Sequence, residues 1–365
     1  MLRFRADIQQ ISPYQPGRPI ADVAAEFGFD PVEIAKLASN ESPAPPFEAV
    51  QRRMIDEVGR THRYPDNDCQ ELRQALAAHL DVAADHLWVG GGSSELIRVI
   101  ATSIGGPGTS AVYGWPSFVI YRLATIIADA EAIEVPLDAG HRFDLDALAA
   151  AIRSDTTVVY ICNPNNPTGT HLPAADVRRF IDGIPDDVLV VVDEAYQEYV
   201  TADDYATVVP LAAERDNVVV LRTFSKIYAL AALRVGYAVG RPETLTALRK
   251  AQAPFTVTAM GQAAATEALA HQHEVDRRRA ANAHGREVLE AGLAEIGVEH
   301  VPSQANFVYV RTGASTETTS DAFIRHGIIL RPFGEGWVRV TVGSPEENAR
   351  FLDAMRGEFH SLRRG

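Results

Sequence analysis

The stretch Val218-Val219-Val220-Leu221-Arg222-Thr223-Phe224-Ser225-Lys226 decides the fold that the sequence predicts. Its apolar residues, 218–221, predict a short buried strand, and two hydroxyl residues and a lysine follow within five positions. A lysine just after a buried strand is unusual, because burial disfavours its charged form. A neutral amine at this place can attack an aldehyde, so Lys226 is a candidate nucleophile. A solvated turn is the competing interpretation, and on this stretch alone it is the commoner one.

Composition limits the class of protein. The chain has 365 residues, 46% of them hydrophobic and 22% charged, which suits one large globular domain and a smaller one. A net charge of −14 and a pI of about 5.2 argue against nucleic acid and anionic membranes as partners. Two cysteines, Cys69 and Cys162, make neither a disulfide framework nor a metal cluster. With no secretory signal and no long apolar run, we expect a soluble cytoplasmic protein without a metal site.

Polar clusters follow further apolar strands along the chain. The predicted strands and their clusters are 87–89 with Gly92-Ser93-Ser94, 111–113 with Trp115 and Phe118, 157–162 with 163–169, and 188–192 with Asp193-Glu194-Ala195-Tyr196. Helical segments lie between these strands. The pattern predicts a doubly wound α/β layer whose mostly parallel sheet carries the clusters at the carboxyl ends of its strands, where ligands bind.

Each cluster has a functional and a structural interpretation. The glycines before a helix let the backbone approach an anion, although a tight turn without a ligand has the same sequence. The ring of Phe118 could stack on a planar ligand, but packing in the core is the commoner role of an aromatic residue. Asp193 ends a strongly aliphatic strand and needs a partner, since an unpaired buried charge is costly. A protonated ring nitrogen would be such a partner.

The outer parts of the chain predict a second, smaller unit. Residues 1–45 are a proline-rich arm, and Asp68 with Glu71 predicts a capping box at the start of the next helix. A long helical region, 259–296, precedes strands at 305–310 and 337–342. In the second strand Arg339 and Thr341 face away from the valines. Ser344-Pro345-Glu346-Glu347 predicts a capped final helix.

Several motifs in register resemble the fold-type I pyridoxal-phosphate (PLP) aminotransferases. They are Asn163-Pro164-Asn165-Asn166-Pro167-Thr168-Gly169, Asp193-Glu194-Ala195-Tyr196, Ser225-Lys226 with Arg234, and Arg339. Within that family, Pro13-Tyr14-Gln15, Arg63-Tyr64-Pro65-Asp66 and Ile328-Ile329-Leu330-Arg331 resemble histidinol-phosphate aminotransferases and the related bacterial aromatic aminotransferases. The resemblance covers nearly the whole chain.

The resemblance implies a fold and a set of residue roles. It implies a large PLP-binding domain at 46–250, a smaller α+β domain at 251–365, and an arm, 1–45, that joins the small domain. Lys226 would form the Schiff base with PLP and Asp193 would hold the pyridine nitrogen protonated, while Tyr196 would bind the ring oxygen. The remaining cofactor contacts would come from Gly92, Ser93, Ser94, Phe118, Asn166, Ser225 and Arg234, and from Tyr64 of a neighbouring subunit in a homodimer with shared sites. Substrate would contact Tyr14, Asn40, Arg331 and Arg339. The family more often has tyrosine at the position of Phe118.

Three reactions are consistent with these residues. The first is transamination of histidinol phosphate with 2-oxoglutarate and glutamate in histidine biosynthesis, favoured by Tyr14, Arg331 and Arg339. The second is transamination of phenylalanine or tyrosine, which Phe224 and Trp337 would suit. A less favoured third is decarboxylation of an amino acid phosphate by the same cofactor. A PLP-binding regulator is not expected, because it would need a basic DNA-binding domain, for which no residues remain and for which the net charge has the wrong sign.

Overall fold

The computed structural model describes residues 2–12, 17–334 and 336–362. Its strands are β1 (Ala35–Lys36), β2 (Leu87–Gly90), β3 (Ser110–Trp115), β4 (Glu131–Pro136), β5 (Thr156–Cys162), β6 (Leu189–Asp193), β7 (Val218–Thr223), β8 (Gly236–Val239), β9 (His300–Val301), β10 (Phe307–Arg311), β11 (Ile328–Ile329), β12 (Arg331–Gly334) and β13 (Trp337–Thr341). Its helices are α1 (Ala6–Gln10), α2 (Ile20–Phe27), α3 (Glu48–Val58), α4 (Gln70–Leu80), α5 (Ser93–Ile104), α6 (Ile120–Ile127), α7 (Leu145–Ala151), α8 (Ala174–Gly183), α9 (Val209–Glu214), α10 (Pro242–Leu248), α11 (Ala259–Leu269), α12 (Gln272–Ile296), α13 (Thr316–Ile324) and α14 (Pro345–Leu362).

The large sheet has seven strands in the order β2-β8-β7-β6-β5-β3-β4. Strand β8 runs antiparallel to both of its neighbours, and the other neighbouring pairs are parallel. The central strands β6 and β7 are buried on both faces, which explains their continuous runs of valine and leucine. The predicted α/β class and mostly parallel sheet are confirmed. Strands β4 and β8 were not predicted.

A second, antiparallel sheet has the order β12-β13-β10-β9. Its core side chains pack together with residues of α12, α13 and α14. The predicted alternation in β13 is confirmed, because Val338 and Val340 are buried in this core while Arg339 and Thr341 lie on the opposite face. Strand β1 pairs in parallel with β11, so that Ala35 and the following Leu37 join the same core.

The packing of the helices shows which segments lie beside the large sheet and which lie beside the small one. The segment around β1 lies against the small sheet, whereas α11 packs mainly on α3 and α4 beside the large one. The boundaries at residues 45 and 250 stay predictions about domains. The helical region predicted at 259–296 is two helices, α11 and α12, which residues 270–271 separate.

Two predicted helix caps have different outcomes. The capping box at Asp68 is wrong: Cys69 adopts a left-handed conformation with φ 49°, and α4 begins after it. The Asp66 carboxylate accepts from the backbone N–H groups of Asp68 and Gln70 instead. The box at α14 is confirmed, since Ser344 Oγ accepts from the Glu347 N–H at 3.2 Å and Glu347 Oε2 accepts from the Ser344 N–H at 2.7 Å.

Candidate active site

A cavity of about 400 Å³ lies where the carboxyl ends of β5, β6 and β7 meet the start of α5 and the face of β13. It gathers most of the site residues that the sequence predicts. Those lining it are Asn40, Ser93, Ser94, Phe118, Asn166, Asp193, Tyr196, Ser225, Lys226, Arg234 and Arg339. Residues that are more than a hundred positions apart in the chain therefore share one wall.

Lys226 lies in the turn after β7, and its partly buried amine faces the cavity. The amine donates to the carbonyl oxygen of Ser39 at 3.3 Å and lies 5.6 Å from the centre of the Tyr196 ring. Burial, helped by the positive charges of Arg339 and Arg234, lowers the pKa of Lys226 to about 7. A substantial fraction of this amine is therefore neutral, and so nucleophilic and basic, at neutral pH.

Asp193 ends β6 at the floor of the cavity and is 2% exposed. Its Oδ2 accepts from the Tyr121 hydroxyl at 2.8 Å, and its Oδ1 accepts from the Ala195 N–H at 3.1 Å. Burial raises the pKa of Asp193 to about 6, and these two hydrogen bonds oppose the rise. The group is thus mainly a carboxylate at neutral pH, and it can accept a further hydrogen bond from a cationic ring N–H.

The wall next to the small sheet carries hydrogen-bonded polar groups. Asn40 Nδ2 donates to the Tyr196 hydroxyl oxygen at 3.0 Å. Arg339 donates to Asn166 Oδ1 and to the Ala38 carbonyl, both at 2.5 Å. Burial raises the pKa of Tyr196, so its phenol stays neutral and its O–H can donate into the cavity. This wall combines a fixed guanidinium with neutral donors and acceptors.

The start of α5 and the loop after β7 form a cradle for an anion. Arg234 Nη1 donates to Ser225 Oγ at 3.3 Å, and the first turn of α5 presents Ser93 and Ser94 to the same cavity. Gly92 precedes the helix with φ 86° and ψ 162°, and a Cβ on it would lie 2.5 Å from Arg234 Nη2. This backbone conformation favours glycine, and a Cβ here would push the Arg234 guanidinium out of its position. A guanidinium, hydroxyls and free N–H groups together suit a phosphate.

Among the described residues, Gly92, Tyr64 and Arg331 are predicted site residues that do not line the cavity, although Gly92 lies directly beside it against Arg234. Tyr64 is 83% exposed and stacks on Phe255, with ring centres 4.7 Å apart. Arg331 lies on β12, directly opposite Arg339 in the strand register. Tyr14 lies outside the described residues. The single chain thus assembles the predicted cofactor residues except Tyr64, and part of the predicted substrate set.

Other cavity residues were missed by sequence reasoning. Tyr121 touches Asp193, and Thr223, Cys162 and Glu41 also line or support the cavity. Tyr121 lies in the first turn of α6 and is fully buried, so in the sequence it looks like an ordinary core aromatic. Its position three residues after Phe118 was the available signal, since both side chains then lie on one side of the helix start.

This geometry agrees with the family to which the sequence is similar. Residues 32–355 match the family model for aminotransferase class I and II. The chain belongs to this family. The enzyme is accordingly a PLP-dependent aminotransferase that acts on small-molecule amino and oxo acids. The cradle, the buried carboxylate and the lysine fit that cofactor in this chain.

Two curated relatives and a solved structure illustrate the similarity. Histidinol-phosphate aminotransferase 1 of Cupriavidus pinatubonensis is 43% identical over 95% of this chain and 94% of its own. An aromatic amino acid aminotransferase of Nocardia farcinica is also 43% identical, over 96% of both chains. A histidinol-phosphate aminotransferase from Sinorhizobium meliloti in complex with pyridoxal-5'-phosphate is 28% identical and superimposes with a TM-score of 0.89 over 99% of each chain.

Similarity at this level predicts the reaction class but matches two substrate names equally well. In the described part of the chain, no helix is long and apolar enough to cross a membrane.

Proposed function

We propose that this aminotransferase moves an amino group between histidinol phosphate and 2-oxoglutarate, as a step of histidine biosynthesis. The observation that carries the proposal is the placement of Arg331 directly opposite Arg339 on adjacent antiparallel strands. Side chains directly opposite each other in such a pair lie on the same face of the sheet. Arg339 lines the cavity, so we expect the guanidinium of Arg331 on the face that the substrate would approach. Two guanidinium groups suit a phosphomonoester better than a neutral aromatic side chain.

The roles of the cofactor-binding residues follow from the cavity. When bound, PLP supplies an electrophilic aldehyde and a protonated ring that stabilises negative charge at the substrate α-carbon. Asp193 would keep the ring nitrogen protonated, and Phe118 would lie against the ring. Tyr196 and Asn166 would donate to the ring oxygen. The phosphate would lie against Gly92, Ser93, Ser94, Ser225 and Arg234.

Lys226 is the proposed base. Because its pKa is lowered to about 7, its Nζ can take a proton from the substrate α-carbon without being permanently protonated itself. Arg339 would bind the carboxylate of glutamate or 2-oxoglutarate, or the phosphate of histidinol phosphate. Asn40 holds the Tyr196 hydroxyl and, with Tyr14, would complete the substrate wall.

Aromatic amino acid transamination is the second candidate. It is favoured by the rings beside Arg339, whose guanidinium carbon lies 5.4 Å from the centres of both Phe307 and Phe333. Beyond them Trp337 stacks on Tyr309 at 4.5 Å. A phenylalanine side chain would find apolar contacts near these rings.

Steady-state kinetics with both amino donors test the choice. We expect kcat/KM for histidinol phosphate to exceed that for phenylalanine by about 100-fold or more. Arg331→Gln should lower kcat/KM for histidinol phosphate by about tenfold or more and change phenylalanine turnover little, because it removes a charge-assisted contact to phosphate. Arg356→Gln on the exposed face of α14 is the matched control. If kcat/KM is higher for phenylalanine and Arg331→Gln does not change that preference, the substrate assignment moves to aromatic amino acids.

We further propose a homodimer with shared active sites. Tyr64 carries its ring on the surface, and Ile55 and Val58 of α3 are exposed at 69% and 56%. Exposed apolar side chains of this kind are typical of an interface. Tyr64 would then reach the cofactor phosphate of the partner subunit. A cytoplasmic location stays a prediction from the cysteine content.

Mixing two impaired variants tests the shared site. In a shared site, Lys226 comes from one subunit and Tyr64 from the other. A mixed dimer of Lys226→Ala and Tyr64→Ala therefore has one site in which both residues are natural. We expect activity to reappear on mixing under exchange conditions, and sedimentation to show a dimer. A monomer, or no recovery from an exchanged dimer, would contradict the proposal.

A further inference from the structure

Tyr121 lies under the cavity floor and touches the residue that we assign to the cofactor ring. It lies in the first turn of α6, is fully buried, and directs its hydroxyl at Asp193 Oδ2 at 2.8 Å. Its ring stacks on Tyr160 with centres 4.9 Å apart and planes 10° apart. The Phe118 ring meets it edge-on at 5.8 Å. Rings on two sides therefore fix where the Tyr121 hydroxyl can point.

The carboxylate depends on that hydroxyl. Within the described residues, the hydrogen bonds to the Asp193 carboxylate come from the Tyr121 hydroxyl and from the backbone N–H of Ala195. Ala195 holds Oδ1, and Tyr121 holds Oδ2. Without the hydroxyl, a buried charged oxygen would lack that partner, and the carboxyl could rotate or take up a proton.

We propose that Tyr121 is a positioning residue that holds Asp193 ionised and oriented toward the ring nitrogen of PLP. The proposal rests on the function proposed above, because it places that nitrogen at Asp193. It assigns to α6 a role that the cavity lining alone does not indicate. The aromatic contact to Phe118 also joins the two groups, so that one tyrosine supports both the carboxylate and the ring proposed to lie against the cofactor.

The other groups near Asp193 do not replace this hydrogen bond. Titratable groups that act on it lie on each neighbouring element: Cys162 at the end of β5, Glu194 and Tyr196 after β6, and Lys226 after β7. Burial raises the pKa of Cys162, so its thiol stays neutral. Glu194 is bound by Arg222 at 2.8 Å. Lys226 favours the ionised form of Asp193 only while its amine is charged, and burial weakens that charge.

Tyr121→Phe tests the proposal, with Tyr160→Phe as the matched control. Both changes remove one buried hydroxyl from the same pair of stacked rings, and the Tyr160 hydroxyl has no hydrogen-bond partner in the described part of the chain. The dissociation constant of PLP is measured by quenching of protein fluorescence from about pH 5 to pH 9, a range that brackets the Asp193 titration. Thermal unfolding of the cofactor-free variants checks that each one folds.

We expect Tyr121→Phe to weaken PLP binding by about tenfold at neutral pH, which is the usual effect of losing a hydrogen bond to a charged group. The hydrogen bond lowers the pKa of Asp193, so its loss should move the acid limit of PLP binding to higher pH, by about one unit. Tyr160→Phe should match the natural protein within about twofold. A ring-fluorinated tyrosine at position 121, a stronger donor with the same ring, should move the acid limit to lower pH.

Three results would overturn the proposal: an unchanged acid limit in Tyr121→Phe, equal losses in both phenylalanine variants, or no response to the fluorinated residue. Asp193→Asn separates this failure from a failure of the proposed function. If Asp193→Asn loses PLP affinity while Tyr121→Phe does not, only the role of Tyr121 is refuted. If Asp193→Asn binds PLP and turns over normally, the assignment of Asp193 itself is wrong.

Discussion

Gly92→Ala should weaken the phosphate cradle and destabilise the fold by separable amounts. Gly92 has φ 86° and ψ 162°, a conformation essentially limited to glycine. The added methyl carbon would lie 2.5 Å from Arg234 Nη2, so the guanidinium must move. The change therefore has a backbone effect and a side-chain effect.

The two effects have different sizes. A non-glycine residue in this conformation costs on the order of 1–3 kcal/mol, which should appear as a lower free energy of unfolding of the cofactor-free protein. Displacing Arg234 should remove the charge-assisted hydrogen bond that we propose it makes to the cofactor phosphate, worth about 1.5–3 kcal/mol. That loss corresponds to a PLP dissociation constant about 10- to 100-fold higher.

Denaturant unfolding of the cofactor-free protein and fluorescence titration with PLP measure the two effects. Gly59→Ala is the control, because Gly59 has φ −68° and a Cβ added to it would have nothing within 4 Å. In an Arg234→Met background, Gly92→Ala should still destabilise the fold but add little further loss of PLP affinity. An undiminished affinity loss in that background, or a fold as stable as the natural protein, would refute the reasoning.

Three further predictions concern the amine, the guanidinium and the last helix. Lys226→Ala should abolish transamination. Lys226→Met should raise the free energy of unfolding of the cofactor-free protein, most below about pH 7 and not at all above pH 10.5, because folding lowers the pKa of Lys226 from 10.5 to about 7. A stability gain that grows with pH in urea titrations would contradict this. Arg339→Lys should lower kcat/KM for all amino donors by about tenfold or more while PLP affinity stays the same, since lysine lacks the planar donor pair; unchanged kinetics would exclude Arg339 from the substrate wall. Ser344→Ala should lower the free energy of unfolding by about 1 kcal/mol through loss of the cap to Glu347, with kcat/KM unchanged; thermal unfolding and an activity assay check both halves.

The sequence predicted those elements whose pattern is local. The apolar run before Ser225 and Lys226 could hardly be anything but a buried strand, and β7 is that strand. Alternation in β13 placed Arg339 on the polar face for the same reason. The capping box at Ser344 involves residues only three positions apart, so its geometry is contained in the sequence.

Features that depend on distant contacts were not predictable. The sequence at Asp68 matches the capping pattern, but Cys69 adopts a left-handed conformation and the Asp66 carboxylate accepts from the first turn of α4 instead. The Asp68 carboxylate pairs with Arg249, 181 positions further along the chain, at 2.6 Å. Tyr121 reaches Asp193 across 72 positions of sequence. A buried tyrosine shows its hydroxyl partner only when the fold is complete.

Burial shifts the pKa values of both titrating groups at the centre of the site. In water the pKa values of a lysine and an aspartate are far apart, and at neutral pH both are charged. Here burial lowers the pKa of Lys226 to about 7 and raises that of Asp193 to about 6. An uncharged amine and a carboxylate can therefore coexist in most molecules only above about pH 7. A further rise in the pKa of Asp193 would protonate the carboxylate in that same pH range. The hydroxyl of Tyr121 opposes that rise, and the positive charges of Arg339 and Arg234 add to burial in favouring the neutral form of the amine. Groups on four separate segments of the chain thus maintain the difference between base and carboxylate that transamination needs.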